Sequence, residues 1–414
     1  AIPYAENERQ QSVIRKLIEF YETGNLAVFD AYTILWVEET EGEVDFTNGF
    51  TEVYGDPLGL KASWEGYVNY TDHQATRRAQ ALSRNAQWFE DHSPVDARFK
   101  KPLCRGVSAK VINAAILGGD LYPSSAIGIN LPNSNWVRAE HGSKSVTIAN
   151  LTHAYDEAAR GNGFRNEFAD STQTVSLMDR YGSICDDLHT DLHECLGHGS
   201  GRLLPGVDPD ALKAYGSTIE EARADLFGLY YLADEKLVEL GLTPCQEAYK
   251  AQYYSYMMNG LLTQMVRIQP GHQIEEAHMR NRALIARWTL EHYPQAVRLS
   301  EQDGKHYVEI LDYPLLRTAF GTLLAEIQRI KSEGDLQAAR QMVERYGVQI
   351  DAKLHQEVLE RYSKLNLAPY KGFINPRYTP VCDSEGRITD VHIDYLETYD
   401  EQMLRYSKQY NTLI

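Results

Sequence analysis

The sequence predicts an α+β fold: a mainly helical lobe and a mixed α/β lobe. Three observations predict it. Apolar residues recur at helical spacing near the start of the chain and through most of residues 153–364. Aromatic-rich alternation covers residues 45–70, and short β-like runs fill 104–150. Apolar residues make up 43% and charged residues 24% of the 414, an ordinary globular composition. A chain of this length fits two or three domains at roughly 150 residues each, and it can bury a large core without disulfide staples. The β-like material flanks the helical middle, so neither lobe is expected to be contiguous in sequence.

The elements follow in order. In ENERQQSVIRKLIEFYETG, Val13, Ile14, Leu17, Ile18 and Tyr21 share one helix face, and Gly24 is the expected stop. A second helix is expected over Asn25–Val37. The runs GFTEVYGDPLG and ASWEGYVNY read as two extended segments joined by a Gly/Pro loop. Residues 72–91 return to helix. SAKVINAAIL, AIGINLPN and SVTIAN read as short strands punctuated by Pro123, Pro132 and glycines. Helices are then expected at 185–198, 217–240, 244–267, 273–292, 312–331, 335–346 and 351–364. The tail holds extended patches at 372–382 and 388–394 and a last helix from about 395. No internal repeat or disordered linker is evident.

Charge and cysteine usage narrow the function classes. Lys plus Arg is 41 against 58 for Asp plus Glu, a formal charge of −17. Nucleic acids and anionic membranes need a basic surface, so both are excluded as main partners. No apolar run approaches the ~20 residues that span a bilayer. Five cysteines, an odd number at wide spacing without C-x-x-C, do not form a disulfide framework and point to a reducing compartment. The expected location is the cytoplasm. The first residue is Ala1 rather than methionine, which suggests a processed or truncated start and leaves room for a removed targeting segment.

The chemistry concentrates in Asp191-Leu-His-Glu-Cys-Leu-Gly-His198. The familiar zinc pattern H-E-x-x-H puts two histidines one turn apart with a glutamate as general base. Here His193 and His198 are one residue further apart. On a regular helix that spacing separates the rings by about 140°. A local π-type bulge is therefore expected, with Gly197 permitting unusual backbone angles. A zinc site also needs a third protein ligand. Ser217-Thr-Ile-Glu-Glu-Ala-Arg-Ala-Asp225 offers Glu221, with Asp225 one turn on and Glu220 on another face, each able to support a ligating histidine. Cys195, at i+2 from His193, faces away and reads as a buried helix-face cysteine.

H-E-C-L-G-H followed by E-E-A-R-A-D closely resembles the dipeptidyl peptidase III family, with its H-E-x-x-G-H and E-E-x-R-A-E/D motifs. GFTEVYGDPLGLKASWEGYV resembles that family's substrate-cleft segment, AIGINLPN its peptide-binding strand, and EEAHMRNR its histidine-arginine helix. The resemblance implies one Zn2+ per chain held by His193, His198 and Glu221, with Glu194 as the catalytic carboxylate and Glu220 and Asp225 behind the histidines. It implies Tyr54 and His278 at the reacting carbonyl oxygen. Glu52, Asn130 and Asn133 would grip the peptide's N-terminal end, with Arg282 one turn beyond His278 and Lys371 toward the peptide's other end.

It further implies a cleft between the lobes. Residues 1–72, 114–158 and 370–414 would form the lower lobe, and 73–113 and 159–369 the upper. Most of the family's N-terminal portion has no counterpart here, so the resemblance implies a C-terminal fragment or trimmed chain. The implied activity is release of dipeptides from the free N-terminus of short peptides. Two rivals are a zinc aminopeptidase or endopeptidase, and a non-catalytic zinc- or peptide-binding fragment. No oligomeric state is specified.

Overall fold

The computed structural model describes residues 1–52, 62–104, 109–123, 125, 127–132, 134–142, 144–367 and 372–411. The chain folds as two compact units. A sheet unit comprises residues 1–76, 109–155 and 369–414, and a helical unit comprises 77–108 and 156–368. The described strands are β1 (Val44–Glu52), β2 (Ser63–Thr71), β3 (Ala109–Gly119), β4 (Gly128–Leu131), β5 (Lys144–Ile148), β6 (Val297–Gln302), β7 (Lys305–Ile310), β8 (Arg377–Cys382) and β9 (Ile388–Asp394). The first helices are α1 (Glu8–Thr23), α2 (Leu26–Glu38), α3 (His73–Arg84), α4 (Ala86–His92), α5 (Asn135–His141), α6 (Ala149–Ala159), α7 (Phe164–Phe168) and α8 (Thr172–Leu192). The rest are α9 (Gly216–Leu232), α10 (Glu235–Glu239), α11 (Tyr249–Leu261), α12 (Ala277–His292), α13 (Tyr313–Glu333), α14 (Leu336–Met342), α15 (Ala352–Lys364) and α16 (Tyr399–Tyr410).

In the sheet unit, α1 ends at Gly24 in the left-handed region and α2 starts from Asn25, whose side chain accepts from Ala27 N at 2.9 Å. The five-stranded sheet runs β1-β2-β3-β5-β4. Only the β3–β5 pair is parallel. Tyr67, Ile112, Ala114 and Ile148 from the strands meet Val13, Tyr32 and Trp36 from α1 and α2 in one buried cluster, closed by Leu151 and Phe373. The tail is fastened by a side chain that imitates a strand. Asn375 is buried, its Oδ1 accepts from Leu117 N at 2.8 Å, and its Nδ2 donates to Leu117 O at 3.0 Å.

The helical unit is built around α9. Ile219, Ala222, Ala224, Leu226, Leu229 and Tyr231 are all fully buried, so this helix is covered on every side. Helices α8, α12 and α13 pack on it, and two tyrosine hydroxyls of α11 reach it. A helix without a solvent face is a core element. Among the described residues no helix is long and apolar enough to cross a membrane, and all five cysteines are free.

Several expected boundaries move. Helix α8 starts at Thr172, capped by Ser171, rather than at 185. The stretch expected as one helix over 217–240 breaks at Ala233, and Asp234 caps α10. Helix α11 starts at Tyr249, and its last expected turn, Thr263–Arg267, is 3-10 helix. After α14, residues Val343–Val348 form a π turn. The last helix starts at Tyr399, behind a Thr398/Glu401 capping box. The hairpin β6–β7 was not expected, although Asp303-Gly304 at its turn is a strong hairpin signal. Both turn residues have positive φ, 51° and 73°.

Removing the Asn375 amide leaves both backbone groups of Leu117 without that partner. Asn375→Ala is expected to cost roughly 2–4 kcal/mol, read as a lowered urea midpoint. An unchanged midpoint would contradict the role given to this side chain.

Candidate metal centre

The expected bulge is present. Helix α8 runs directly into a π turn over His193–Gly197, and His198 N donates to His193 O at 3.1 Å, an i→i+5 bond. The wider turn brings the two imidazoles face to edge, with ring centroids 4.7 Å apart and planes at 89°. Gly197 serves differently from its expected role, because its φ is not in the positive region. A Cβ there would lie 2.8 Å from Ala224 Cα, so the glycine lets α9 press against the π turn. Cys195 is fully buried.

Helix α9 supplies the carboxylates. Glu221 Oε2 lies 3.2 Å from His193 Nε2, 3.9 Å from His198 Nε2 and 3.5 Å from His278 Nε2. That oxygen is buried, and no donor is aligned to hydrogen-bond it. A carboxylate oxygen orphaned among imidazole nitrogens is a donor set that suits a divalent metal. Glu194 also approaches, since His193, Glu194 and His198 offer atoms within 4.8 Å of one another. It is exposed, however, and its nearest oxygen is 4.0 Å from His193 Nε2, so Glu221 lies closer to that nitrogen than Glu194 does.

Each histidine is aimed by a carboxylate on its far nitrogen. His193 Nδ1 meets Asp225 Oδ1 at 2.7 Å, and His198 Nδ1 meets Glu220 Oε1 at 2.7 Å. This pairing puts the proton on Nδ1 and turns Nε2 toward the shared point. Glu220 is held in turn by Arg223 Nε and Nη2, at 3.0 and 2.7 Å, and by Lys331 Nζ. The Arg223 side chain is almost fully buried and also donates to Ser200 Oγ at 2.6 Å. Asp225 Oδ2 accepts from Tyr256 OH at 2.7 Å, and its backbone carbonyl meets His189 Nε2 at 3.2 Å.

The electrostatics follow from these contacts. Burial would hold the His193 imidazolium down, but the Asp225 hydrogen bond and the Glu221 carboxylate outweigh it and push His193 up to about 10. Burial would raise Glu220 and Asp225, yet both lie well below the carboxylate range. Arg223, His198 and Lys331 overcome burial at Glu220, and His193 does so at Asp225.

His278 sits at the start of α12, half exposed, with Nδ1 2.7 Å from Glu276 Oε1. Arg282, one turn on, acts electrostatically on Asp225 and Asp186. Glu52 ends β1 and Asn130 lies in β4, placed here by backbone only. Tyr54, Asn133 and Lys371 lie outside the described residues. Sequence reasoning missed Lys331, Tyr256, His189 and Gln252, which stand behind the two histidines. None belongs to a motif, and only the folded packing of α8 and α13 on α9, and of α11 on α8, brings them in.

The model of a known family, described as peptidase family M49, matches residues 1–213 and 209–367. The chain belongs to peptidase family M49. Among proteins it resembles, dipeptidyl peptidase 3 of Dictyostelium discoideum is 28% identical, over 62% of this chain and 41% of that protein. Dipeptidyl peptidase 3 of Homo sapiens is 24% identical, over 97% of this chain and 57% of that protein. The chain thus spans about half the length of the curated relatives it matches. The solved structure of DPP III from Caldithrix abyssi superposes with a TM-score of 0.73 at 20% identity, covering 88% of this chain and 67% of that one. This likeness shows a shared fold. Within this M49 chain the metal-suited donors all come from the helical unit.

The raised His193 value gives a signed expectation. Its proton contributes stability to the metal-free fold below the ordinary value of about 6.5, and that contribution is lost as pH rises through about 10. A metal must displace the same proton. At pH 8, binding of a divalent ion should release about one proton per chain, read by calorimetry in buffers of different ionisation enthalpy. Binding without proton release would contradict this electrostatic account.

Proposed function

We propose that this chain is the catalytic portion of a zinc-dependent dipeptidyl peptidase, releasing dipeptides from the free N-terminus of short peptides. The observation that carries the reading is the single π turn that presents two facing imidazoles and, between them in sequence, the exposed carboxylate of Glu194. Membership in the M49 family and the likeness to dipeptidyl peptidases support it. A cytoplasmic location accords with the five free cysteines.

In this reading His193, His198 and Glu221 hold one zinc ion, while Asp225 and Glu220 keep the two imidazoles aimed. Bound zinc supplies Lewis acidity, lowering the pKa of a water toward neutrality and polarising the scissile carbonyl. Glu194 accepts the proton of the attacking water and returns it to the leaving amine. His278, and Tyr54 by resemblance, donate toward the oxygen on which negative charge develops.

The dipeptide limit needs groups that recognise a free end. By resemblance, Glu52 pairs with the peptide's α-ammonium, while Asn130 and Asn133 hold the first backbone units. Arg282 and Lys371 contact the remainder. The strand carrying Asn130 suits an extended peptide added by β-pairing. The two units correspond in this reading to the lower and upper lobes of such an enzyme.

Glu194→Ala is expected to retain metal and to lose about 10²–10⁴-fold in peptide hydrolysis. The assay is product analysis on a short peptide, free and N-acetylated. Dipeptide release that acetylation blocks is the expected pattern for the unaltered chain. Full activity in Glu194→Ala would remove the mechanism. Release of single residues, or cleavage of the acetylated peptide, would favour an aminopeptidase or an endopeptidase. Zinc binding without turnover would favour a binding module.

A further inference from the structure

Helix α11 buries Tyr249, Tyr253, Tyr254 and Tyr256, and the last three are the most deeply covered. A buried phenol needs a partner for its hydroxyl. Tyr253 donates to Leu229 O at 2.7 Å and Tyr254 to Val308 O at 3.0 Å. These are ordinary neutral hydrogen bonds to backbone. Tyr256 is different, because it donates to the Oδ2 of Asp225 at 2.7 Å. The other oxygen of that carboxylate meets His193 Nδ1 at 2.7 Å.

We propose that Tyr256 is a positioning residue for the metal centre: by holding Asp225 Oδ2 it fixes the rotation of the carboxylate that aims His193. The inference rests on reading the site as a zinc centre. Asp225 is buried, and its two oxygens carry separate duties. With Oδ2 released, the carboxylate can turn about its Cβ–Cγ bond toward whatever donor remains, and the His193 ring loses a fixed acceptor. Alternative donors are close. His189 Nε2 is 3.7 Å from Asp225 Oδ1 and 3.2 Å from the Asp225 carbonyl oxygen. Its Nδ1 accepts from Gln252 Nε2 at 3.2 Å, which leaves Nε2 as the donor. The Tyr256 ring packs edge-on to His189, with centroids 5.6 Å apart, so the phenol also limits where that imidazole can move.

The choice of a phenol has a chemical consequence. Glu220, behind His198, is gripped by two cations, Arg223 and Lys331. Asp225, behind His193, is gripped by a neutral hydroxyl. A hydroxyl orders the carboxylate without placing a cation in hydrogen-bond contact with it, and Arg282 acts on it only from further away, so most of the negative charge remains to raise the imidazole's strength as a ligand. Nothing in the run Tyr-Tyr-Ser-Tyr-Met-Met distinguishes Tyr256 from Tyr253 or Tyr254, and the assignment comes from the fold alone.

Tyr256→Phe removes one oxygen atom and keeps the packing. Tyr253→Phe removes a similarly buried hydroxyl on the same helix and serves as the comparison. Both variants should lower the melting temperature of the metal-free chain. Only Tyr256→Phe should weaken zinc binding, by about 10–100-fold in competition with a chelator, and only it should alter the visible spectrum of the cobalt(II)-loaded chain. In an Asp225→Asn background the same change should weaken zinc by no more than about twofold further. Equal weakening in both tyrosine variants, unchanged affinity in Tyr256→Phe, or full additivity with Asp225→Asn would each overturn the proposal while leaving the metal reading in place. An unaltered chain that binds neither ion would overturn both.

Discussion

The i→i+5 hydrogen bond from His198 N to His193 O is the constraint on which the site depends. In a regular helix the two imidazoles would point about 140° apart. Widening a single turn brings them face to edge. Such turns are rare and gather at functional sites. This one is braced from several sides. Helix α9 reaches the bare Cα of Gly197, and Ser200 Oγ donates to Gly197 O at 2.8 Å. The buried Glu90 carboxylate accepts from Gly201 N at 3.0 Å, which secures the chain just past the turn. Replacing Gly197 by alanine would push Cβ into Ala224, so the geometry of the turn and the packing of the core are one problem.

Around that turn the polar groups form a closed arrangement. Two carboxylates five residues apart on α9, Glu220 and Asp225, aim two histidines, and Glu221, next to the first of them, points into the shared space. Buried carboxylates are costly unless paired. Here the pairing is with imidazole, guanidinium, ammonium and phenol groups from the π turn, α9, α11 and α13. The orphaned Oε2 of Glu221 is the exception. A buried oxygen without a partner, surrounded by nitrogens that carry lone pairs or exchangeable protons, is explained most simply as a ligand.

The parts of the fold that could be read from sequence were those set by local physics. The Gly24 stop and part of the α1 face follow from spacing, since Val13 and Ile14 are buried while Ile18 and Tyr21 are exposed, and the helices over 273–364 were found to within a few residues. The π turn was legible because the two histidines make no sense on a regular helix. The function given to Gly197 was not, because a close approach by Ala224 is invisible before folding. The β6–β7 hairpin was passed over because only Val297 and Val308 in it are fully buried, so its apolar alternation is faint. Lys331 lies 111 residues beyond Glu220 and Tyr256 lies 31 beyond Asp225, and no periodicity links positions so far apart. The role of Tyr54 at the carbonyl oxygen and the peptide-gripping roles of Asn133 and Lys371 came from resemblance, and these residues fall outside the described chain.

The central claim is that one ion is shared by residues five apart on a widened turn and by a carboxylate from the next helix. Anomalous diffraction from zinc-loaded crystals, recorded on both sides of the zinc absorption edge, tests it most directly. The account predicts one anomalous peak per chain, in bonding contact with His193 Nε2, His198 Nε2 and a Glu221 oxygen, with Glu194 unbound beside it. A peak bonded elsewhere, or one that engages only one of the two histidines, would contradict it.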